Sequence, residues 1–191
     1  IEFGVSIDFI QSICKEYDIN FYIEEREINS EKMEKKSPCF ACSWERRKSL
    51  FQMAEKLGYN KVALGHHKDD AIHTLFLNMI YHGSISSLPY ILKMFDGKIF
   101  LIRPLLDLEE KIIEKYALLA NYPKEIKKCP YDNLTKREKM RELVIQMEKI
   151  HPLARKNIFN SMSKIYNEYL PVMEKYKRKA DKNNYLDETQ I

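Results

Sequence analysis

The chain has 191 residues, enough to bury one core and too few for two independent domains of ordinary size. Charged residues make up 31% of it, and no apolar run approaches the ~18 residues that a membrane helix needs, so the composition predicts a soluble protein. Aromatic residues at 12% beside only five glycines exclude fibrous and broadly disordered classes. The net charge of +4 permits a polyanionic partner, and four cysteines without a predicted signal peptide favour free thiols in a reducing cytoplasm.

The first half of the chain is predicted to alternate helix and strand. Apolar residues recur at helical spacing over residues 5–17, and the run Ile19–Ile23 is typical of a buried strand. A polar, lysine-rich connection over residues 24–38 leads to a predicted helix over Ser43–Leu57. A short strand over Lys61–Leu64 follows.

The same alternation continues in the second half. One face of residues 69–81 is apolar, which predicts an amphipathic helix, and residues 82–98 have no periodicity. A strand over Ile99–Ile102 precedes a helix over Leu108–Leu119, for which Asp107 is the predicted cap.

Two further helices are predicted over residues 135–150 and 152–169. The alternation predicts an α/β fold, with an open, mostly parallel sheet and helices on both faces. We expect an α/β domain over residues 1–123, followed over residues 124–191 by a loop with the last cysteine and a basic helical extension. Ligands in such sheets bind beyond the carboxyl ends of the strands.

Three of the four cysteines predict a metal or redox site. Cys39 and Cys42 form a C-x-x-C pair beside a predicted helix N-terminus, whose dipole stabilises thiolates. Zinc, iron–sulfur and thioredoxin-like sites all use this spacing, and core cysteines are the plainer alternative. Cys129 lies in a polar stretch, where a third ligand is more natural than a buried thiol. Three thiolates on a [4Fe-4S] cluster would leave one iron open, whereas zinc would need a fourth ligand. Cys14 lies on an apolar helix face and is predicted to be core.

The segment LGHHKDD leaves a predicted strand and enters a helix, where parallel sheets bind ligands and backbone N–H groups bind phosphate. Asp70, Thr74 and Asn78 then form a polar stripe opposite the apolar face. The stripe would suit the wall of a crevice, although a capping Asp followed by a solvated face is more common. His66 and His67 are adjacent and point apart, which argues against a shared metal.

Basic residues give a weaker signal. Arg47 falls in the apolar sector of its predicted helix, where it either reaches an anion or, more commonly, extends to solvent. Residues 124–156 carry ten Lys or Arg against five Asp or Glu, a net charge of +5. Such a segment fits nucleic acid, although lysine-rich helices are usually only solvated.

Four segments, in this order and spacing over residues 1–145, resemble the TtcA-like tRNA 2-thiocytidine synthetases of the PP-loop ATP pyrophosphatase family. They are PCFACSWERR, KVALGHHKDDAIHTLFLNMIYHG, IRPL and KKCPYDN. The resemblance implies a HUP-type sheet, similar to the adenine nucleotide alpha hydrolases. It also implies an enzyme that adenylates the C2 oxygen of a tRNA cytidine with ATP and then displaces AMP with sulfur delivered from a [4Fe-4S] cluster.

The resemblance also implies roles for individual residues. The cluster ligands would be Cys39, Cys42 and Cys129. The catalytic residues would be His67, Asp69 and Asp70. The border of the ATP and Mg²⁺ site would include Gly65, His66, Thr74 and Asn78. The candidate contacts to phosphate or RNA are Arg46, Arg47, Arg103, Lys136 and Arg137.

The implied partners are tRNA and a sulfur donor such as a cysteine desulfurase. By analogy with relatives, a second copy would form a homodimer. The implied location is the cytoplasm, without a membrane. The family's Ser-Gly-Gly-x-Asp-Ser phosphate loop should precede the first helix and does not occur in the sequence. We therefore expect a PP-loop domain that lacks its first βα unit, and no ATP hydrolysis by these 191 residues alone. AMP release by the chain in the presence of tRNA would refute this expectation.

Two other hypotheses use the same residues. A non-catalytic nucleic-acid-binding module, held by zinc or a cluster, would explain the cysteines and the basic segment, although no second C-x-x-C is present. A dithiol redox protein would need only Cys39 and Cys42 and would leave GHHKDD unexplained.

Overall fold

The computed structural model describes residues 6–25, 38–123 and 136–171. In chain order these residues form α1 (Ile7–Glu16), α2 (Pro38–Lys56), β1 (Lys61–Ala63), α3 (Lys68–Leu77), β2 (Ile91–Met94), β3 (Ile99–Ile102), α4 (Glu110–Leu119), α5 (Lys136–Ile150) and α6 (Ala154–Ser161). A π-helical turn, Asn78–His82, extends α3, and 3₁₀ turns lie at Phe95–Gly97 and Asn167–Tyr169.

The described strands form one mixed sheet in the order β1-β3-β2. β1 runs parallel to β3, with Val62 opposite Leu101, and β2 runs antiparallel to β3, with Leu92 opposite Leu101. The α/β class is confirmed. The described sheet is mixed rather than mostly parallel, because the short turn Phe95–Gly97 joins β2 directly to β3 and so makes them antiparallel neighbours.

Helix α3 lies at the centre of the packing. Its Ile72 and Phe76 form a core cluster with Met140 and Val144 of α5, and Ile72 is fully buried. A second cluster joins α2 to the sheet through Ala54, Val62 and Ile99. The third places Ala71 of α3 against Leu88 and Leu106. The apolar face predicted for the α3 segment is therefore its packing face.

Most predicted elements are confirmed, with shifted ends. α2 begins at Pro38, earlier than the predicted Ser43, because proline is well tolerated in the first turn of a helix. Both cysteines of the C-x-x-C pair therefore lie within α2, Cys39 in its first turn and Cys42 at the start of its second. α3 and its π-helical turn end at Gly83, whose φ of 62° is the left-handed conformation that stops helices.

Two predictions of strand structure are wrong. Residues Ile19–Ile23 pair with none of the described strands, and Ile19 and Ile23 are 58% and 53% exposed. An apolar run favours a strand only where a neighbouring strand supplies hydrogen bonds. Residues 82–98 were expected to be irregular, yet they contain β2, whose alternate side chains are exposed beside β3.

Two predictions about helix ends are also wrong. Asp107 does not cap α4, because its Oδ1 accepts a 2.6 Å hydrogen bond from the Tyr90 hydroxyl, and Glu109 occupies the N-cap position. The helix expected over residues 152–169 ends at Ser161. There the hydroxyls of Ser161 and Ser163 donate to backbone carbonyls three residues earlier, which competes with helical hydrogen bonding.

No helix in the described ranges has the length and apolarity required to cross a membrane. Cys129 and the rest of residues 124–135 lie outside the described residues. The division of the chain at residue 123 stays a prediction.

Candidate active site

The segment LGHHKDD forms the connection between β1 and α3, as the sequence predicts. The backbone N–H of Leu64 donates to the Ile102 carbonyl over 2.9 Å, which extends the parallel pairing to the end of β1. A Cβ placed on Gly65 would meet no atom within 4 Å, so open space lies beside this backbone. His67 occupies the N-cap position of α3, and its backbone N–H donates to Oδ2 of Asp70 over 3.1 Å. A strand end, an open loop and a helix N-terminus therefore meet here.

Arg103 lies directly after β3 and reaches under this loop. It is only 1% exposed, its Nε donates to Nδ1 of His66 over 3.3 Å, and its Nη1 donates to the Pro89 carbonyl over 2.6 Å. Its Nη2 is buried and finds no hydrogen-bond partner within the described residues. A buried guanidinium N–H without a partner costs free energy, so this atom is suited to receive an anionic oxygen.

His66 is surrounded by positive charge. Burial, together with the positive charges of Arg103, Arg137 and Arg46, lowers its pKa to about 4, and the charge of Asp70 acts in the opposite direction. At neutral pH the imidazole is therefore uncharged, which agrees with its Nδ1 accepting a hydrogen bond from Arg103. The surroundings of His66 favour an anion.

The two adjacent aspartates have different surroundings. Asp69 is 1% exposed, and its Oδ2 accepts a 2.8 Å hydrogen bond from the backbone N–H of Glu110 at the start of α4. Its Oδ1 pairs with Nη1 of Arg155 from α6. One buried oxygen of Asp69 thus accepts a hydrogen bond from the backbone, and the other forms an ion pair with Arg155.

Asp70 is partly accessible to solvent. Its Oδ2 accepts the N–H of His67, and its Oδ1 accepts a 3.1 Å hydrogen bond from Nη1 of Arg137, whose side chain is 51% exposed. A predicted catalytic acid and a predicted phosphate-binding arginine are therefore in direct contact. An ion pair near the surface contributes at most about 1 kcal/mol to the free energy of unfolding. Either partner can therefore exchange this contact for one with another ion.

The remaining predicted residues of α3 lie farther along the helix. Asn78 is about 12 Å from Asp70 along the axis, at 1.5 Å per residue. Its Nδ2 donates to the carbonyl and the hydroxyl of Ser86 over 3.0 and 2.9 Å, and Thr74 is half-buried. Lys136 places its Nζ 4.0 Å from the centre of the Tyr81 ring. The structure does not gather these three residues around His66.

The C-x-x-C pair opens α2. Cys39 is exposed and Cys42 half-buried, and residues three apart on a helix have Cβ atoms about 5–6 Å apart. Arg46 lies on the same side of α2 as Cys39, two turns later, and is close enough to His66 to affect its pKa. Arg47 donates from Nε to the Ser43 carbonyl over 3.3 Å, and its Nη2 is buried with no hydrogen-bond partner in the described part of the chain. Arg46 therefore adds to the positive charge that acts on His66.

The donor sets fit the implied groups in part. Within residues 6–25, 38–123 and 136–171 no three His, Cys, Asp or Glu side chains are placed to hold a metal ion together. Cys39 and Cys42 are two soft thiolate donors of the kind an iron–sulfur cluster takes. For Mg²⁺, one or two carboxylates completed by water and substrate phosphates are usual, and the Asp70 carboxylate suits this arrangement once Oδ1 exchanges its contact with Arg137.

Sequence reasoning missed two residues at the site. Arg155 follows a turn in a basic segment, and nothing in its spacing relates it to Asp69. His73 is 3% exposed, and burial, followed by the charges of Arg141 and Arg137, lowers its pKa to about 4. The sequence shows His73 only as a histidine on the apolar side of α3. That position predicts that the side chain is buried and indicates no functional role.

A family model described as a PP-loop domain matches residues 5–148. The chain belongs to the PP-loop family. Its curated relatives include proteins named tRNA-cytidine(32) 2-sulfurtransferase. The one from Polynucleobacter necessarius is 36% identical over 168 residues, which cover 85% of this chain and 56% of that protein. The one from Polynucleobacter asymbioticus is 40% identical, over 80% of this chain and 52% of that protein. This PP-loop chain spans about half the length of these relatives.

A solved structure gives the same fold. The U34-tRNA thiolase NcsA from Methanococcus maripaludis, solved with its [4Fe-4S] cluster, has a TM-score of 0.62 to this chain. The match covers 83% of this chain and 55% of the thiolase, at 23% sequence identity. The PP-loop assignment from sequence therefore agrees with the tertiary structure.

Proposed function

We propose that this chain belongs to an enzyme that thiolates C2 of a cytidine in tRNA, using ATP and a [4Fe-4S] cluster. The observation that carries the proposal is the buried, unpartnered Nη2 of Arg103 beside His66, at the loop that contains GHHKDD. The helix that carries Cys39 and Cys42 packs on the same sheet through Ala54. The likeness to relatives named tRNA-cytidine(32) 2-sulfurtransferase supports the same reaction.

The positive charges around His66 would allow the chain to bind phosphate during adenylation. A carbonyl oxygen of a pyrimidine is a poor leaving group until it is adenylated, and the reaction develops negative charge on phosphate. Arg103, with its unpartnered Nη2, and Arg46 would bind that charge at the N-terminus of α3. His66, neutral at pH 7, accepts from Arg103 and so orients its guanidinium.

Asp70 would hold Mg²⁺ together with the nucleotide phosphates, after exchanging its contact with Arg137. Cys39 and Cys42, with Cys129, would hold the cluster. A cluster bound by three thiolates supplies an open iron at which sulfur can be held for transfer. The backbone N–H of His67 donates a hydrogen bond to Asp70, which keeps that carboxylate at the start of α3.

The partners follow from this chemistry. The substrate is tRNA, and Arg137 and Lys136 on the basic helix α5 are the proposed contacts to its phosphates. Sulfur would come from a donor such as a cysteine desulfurase, the enzyme would work in the cytoplasm, where thiols stay reduced, and two copies would pair as a homodimer.

The test is anaerobic reconstitution of the chain with iron and sulfide, followed by measurement of bound iron and visible absorption. We expect about four irons per chain in the wild type. Cys39→Ala, Cys42→Ala and Cys129→Ala should each lose most of the iron, whereas Cys14→Ala, from the half-buried thiol of α1, should retain it. Stoichiometric zinc without iron would contradict the proposal and favour a binding module. A chain that binds no metal and whose dithiol activity does not need Cys129 would favour a redox protein.

A further inference from the structure

We propose that Arg155 is a positioning residue, which fixes the first turn of α3 through its ion pair with the buried carboxylate of Asp69. This inference rests on the proposed function only in taking that turn as part of the nucleotide site. The described contacts that carry it join α3, α4 and α6 at one carboxylate and link α5 to it through Arg155.

The orientation of Arg155 is set from its other side. Its Nε and Nη2 donate to Oε1 and Oε2 of Glu148, each over 2.9 Å, in a two-point contact. Such a fork fixes the plane of the guanidinium, which a single contact would leave free to rotate. Glu148 belongs to α5 and Arg155 to α6, so the two helices together hold the remaining Nη1 against Asp69.

Asp69 then transmits this position to α3 and α4. A carboxylate that is fully removed from water must keep its charged partner and its hydrogen bonds, so its location follows that of Arg155. Its other oxygen accepts the N–H of Glu110, which ties the first residue of α4 to the same point. Lys68, one residue earlier, also contacts α6, with its Nζ 5.3 Å from the centre of the Phe159 ring.

The neighbours of Asp69 are the residues that the proposed function uses. His67 and Asp70 lie in the same helical turn, and their hydrogen bond closes that turn. A shift of Asp69 would therefore move both. The adjacent aspartates thus differ, since Asp69 is held in the interior while Asp70 pairs with Arg137, a half-exposed partner that a cation could replace.

A matched control is present on the same helices. Arg141 of α5 also pairs with α4, through a 3.0 Å contact from its Nη2 to Oε1 of Glu110. Its side chain is 45% exposed and it does not contact Asp69, so its removal deletes an arginine–carboxylate pair without affecting the buried carboxylate. Arg155→Met and Arg141→Met remove the same charge and keep a side chain of similar length.

The experiment measures amide hydrogen exchange residue by residue in the full chain of both variants. Three amides report on the turn: Lys68, which donates to the Leu108 carbonyl, Ala71, which donates to the His67 carbonyl, and Glu110, which donates to Asp69. We expect Arg155→Met to speed their exchange at least about tenfold, while the sheet amide of Phe100 changes much less. Arg141→Met, whose own contact is with the Glu110 side chain, should leave the amides of Lys68 and Ala71 close to the wild-type rates.

Two results would overturn the inference. One is unchanged exchange of the three amides in Arg155→Met, and the other is an equal increase at every amide, which indicates only global destabilisation. If Arg155→Met does not fold, the exchange rates of Arg155→Lys test the inference instead. Lysine keeps the positive charge but cannot form the two-point contact with Glu148. A lysine variant with faster exchange at the three amides supports the inference, and one with wild-type rates overturns it.

The affinity for Mg·ATP, measured by calorimetry on the same proteins, separates this inference from the proposed function. We expect Arg155→Met to bind Mg·ATP more weakly than Arg141→Met does. If the wild type binds no Mg·ATP, binding requires the phosphate loop that does not occur in these 191 residues, and the iron reconstitution alone decides the proposed function, while the exchange rates still decide whether Arg155 holds the turn. If the wild type binds and both variants match it, the positioning role in that site is wrong.

Discussion

The N-terminal ends of α2 and α3 both carry residues of the candidate site, yet the side chains there have different surroundings. At α3, Asp69 is fully buried between an arginine of α6 and the backbone of α4. At α2, Cys39 is exposed and Cys42 is half-buried. Changes at α3 should therefore reduce the stability of the fold, whereas changes at α2 should leave the fold intact and remove a ligand from a metal site.

The largest expected effect is that of Asp69→Ala. The substitution leaves Arg155 facing the interior without its buried counterion, and we expect a loss of about 3 kcal/mol in the free energy of unfolding. Urea denaturation of the wild type and the variant measures this loss. The control is Cys39→Ala, which should stay within about 0.5 kcal/mol of the wild type in the metal-free chain. Equal losses in the two variants would show that the two turns do not differ as described.

A smaller effect is expected for Val144→Ala on α5. Val144 is 1% exposed and packs against Ile72 and Phe76 of α3, so removing two methyl groups should cost about 2 kcal/mol. The measurement is again urea denaturation. Because this apolar contact is independent of the charged one, Asp69→Ala combined with Val144→Ala tests whether the two losses add. A combined loss well below their sum would mean that the ion pair forms only when α5 is docked.

The α3 region should also make the fold sensitive to acid. His66 and His73 have folded-state pKa values of about 4, while an exposed histidine titrates near 6.5. The unfolded chain therefore binds more protons between these values, and the free energy of unfolding should fall as the pH is lowered from 6.5 toward 4. His73→Leu should flatten this dependence, measured by urea denaturation at several pH values. A slope identical to that of the wild type would contradict a neutral, buried His73.

The smallest effect is expected for Arg137→Met. This arginine pairs with Asp70 at the surface, and such pairs contribute about 0–1 kcal/mol. The free energy of unfolding should therefore change little, and the change should shrink further at 1 M salt. Binding of tRNA should weaken in the variant with a smaller salt dependence, measured by titration at several salt concentrations. A loss of stability comparable to that of Asp69→Ala would mean that Arg137, too, is a buried structural partner.

The sequence predicted the parts of the site that depend on local spacing. The strand–loop–helix form of LGHHKDD follows from a short apolar run, a glycine and an amphipathic helix, and β1 and α3 confirm it. The same reasoning wrongly predicted a strand over Ile19–Ile23. A strand needs hydrogen bonds from a neighbouring strand, and no local pattern specifies that neighbour. β2 was missed for the complementary reason, since its partner β3, rather than its own pattern, makes it a strand.

By itself, then, the sequence determined the α/β class, a helix next to Cys39 and Cys42, and the loop that leads into α3. Only the tertiary structure decided which charges meet. Asp69 and Asp70 are identical neighbours in sequence, yet one is buried against Arg155 and the other faces Arg137 near the surface. The physical reason is that helical periodicity depends on residues three or four apart, whereas the burial and pairing of a charge depend on side chains that arrive from distant parts of the chain.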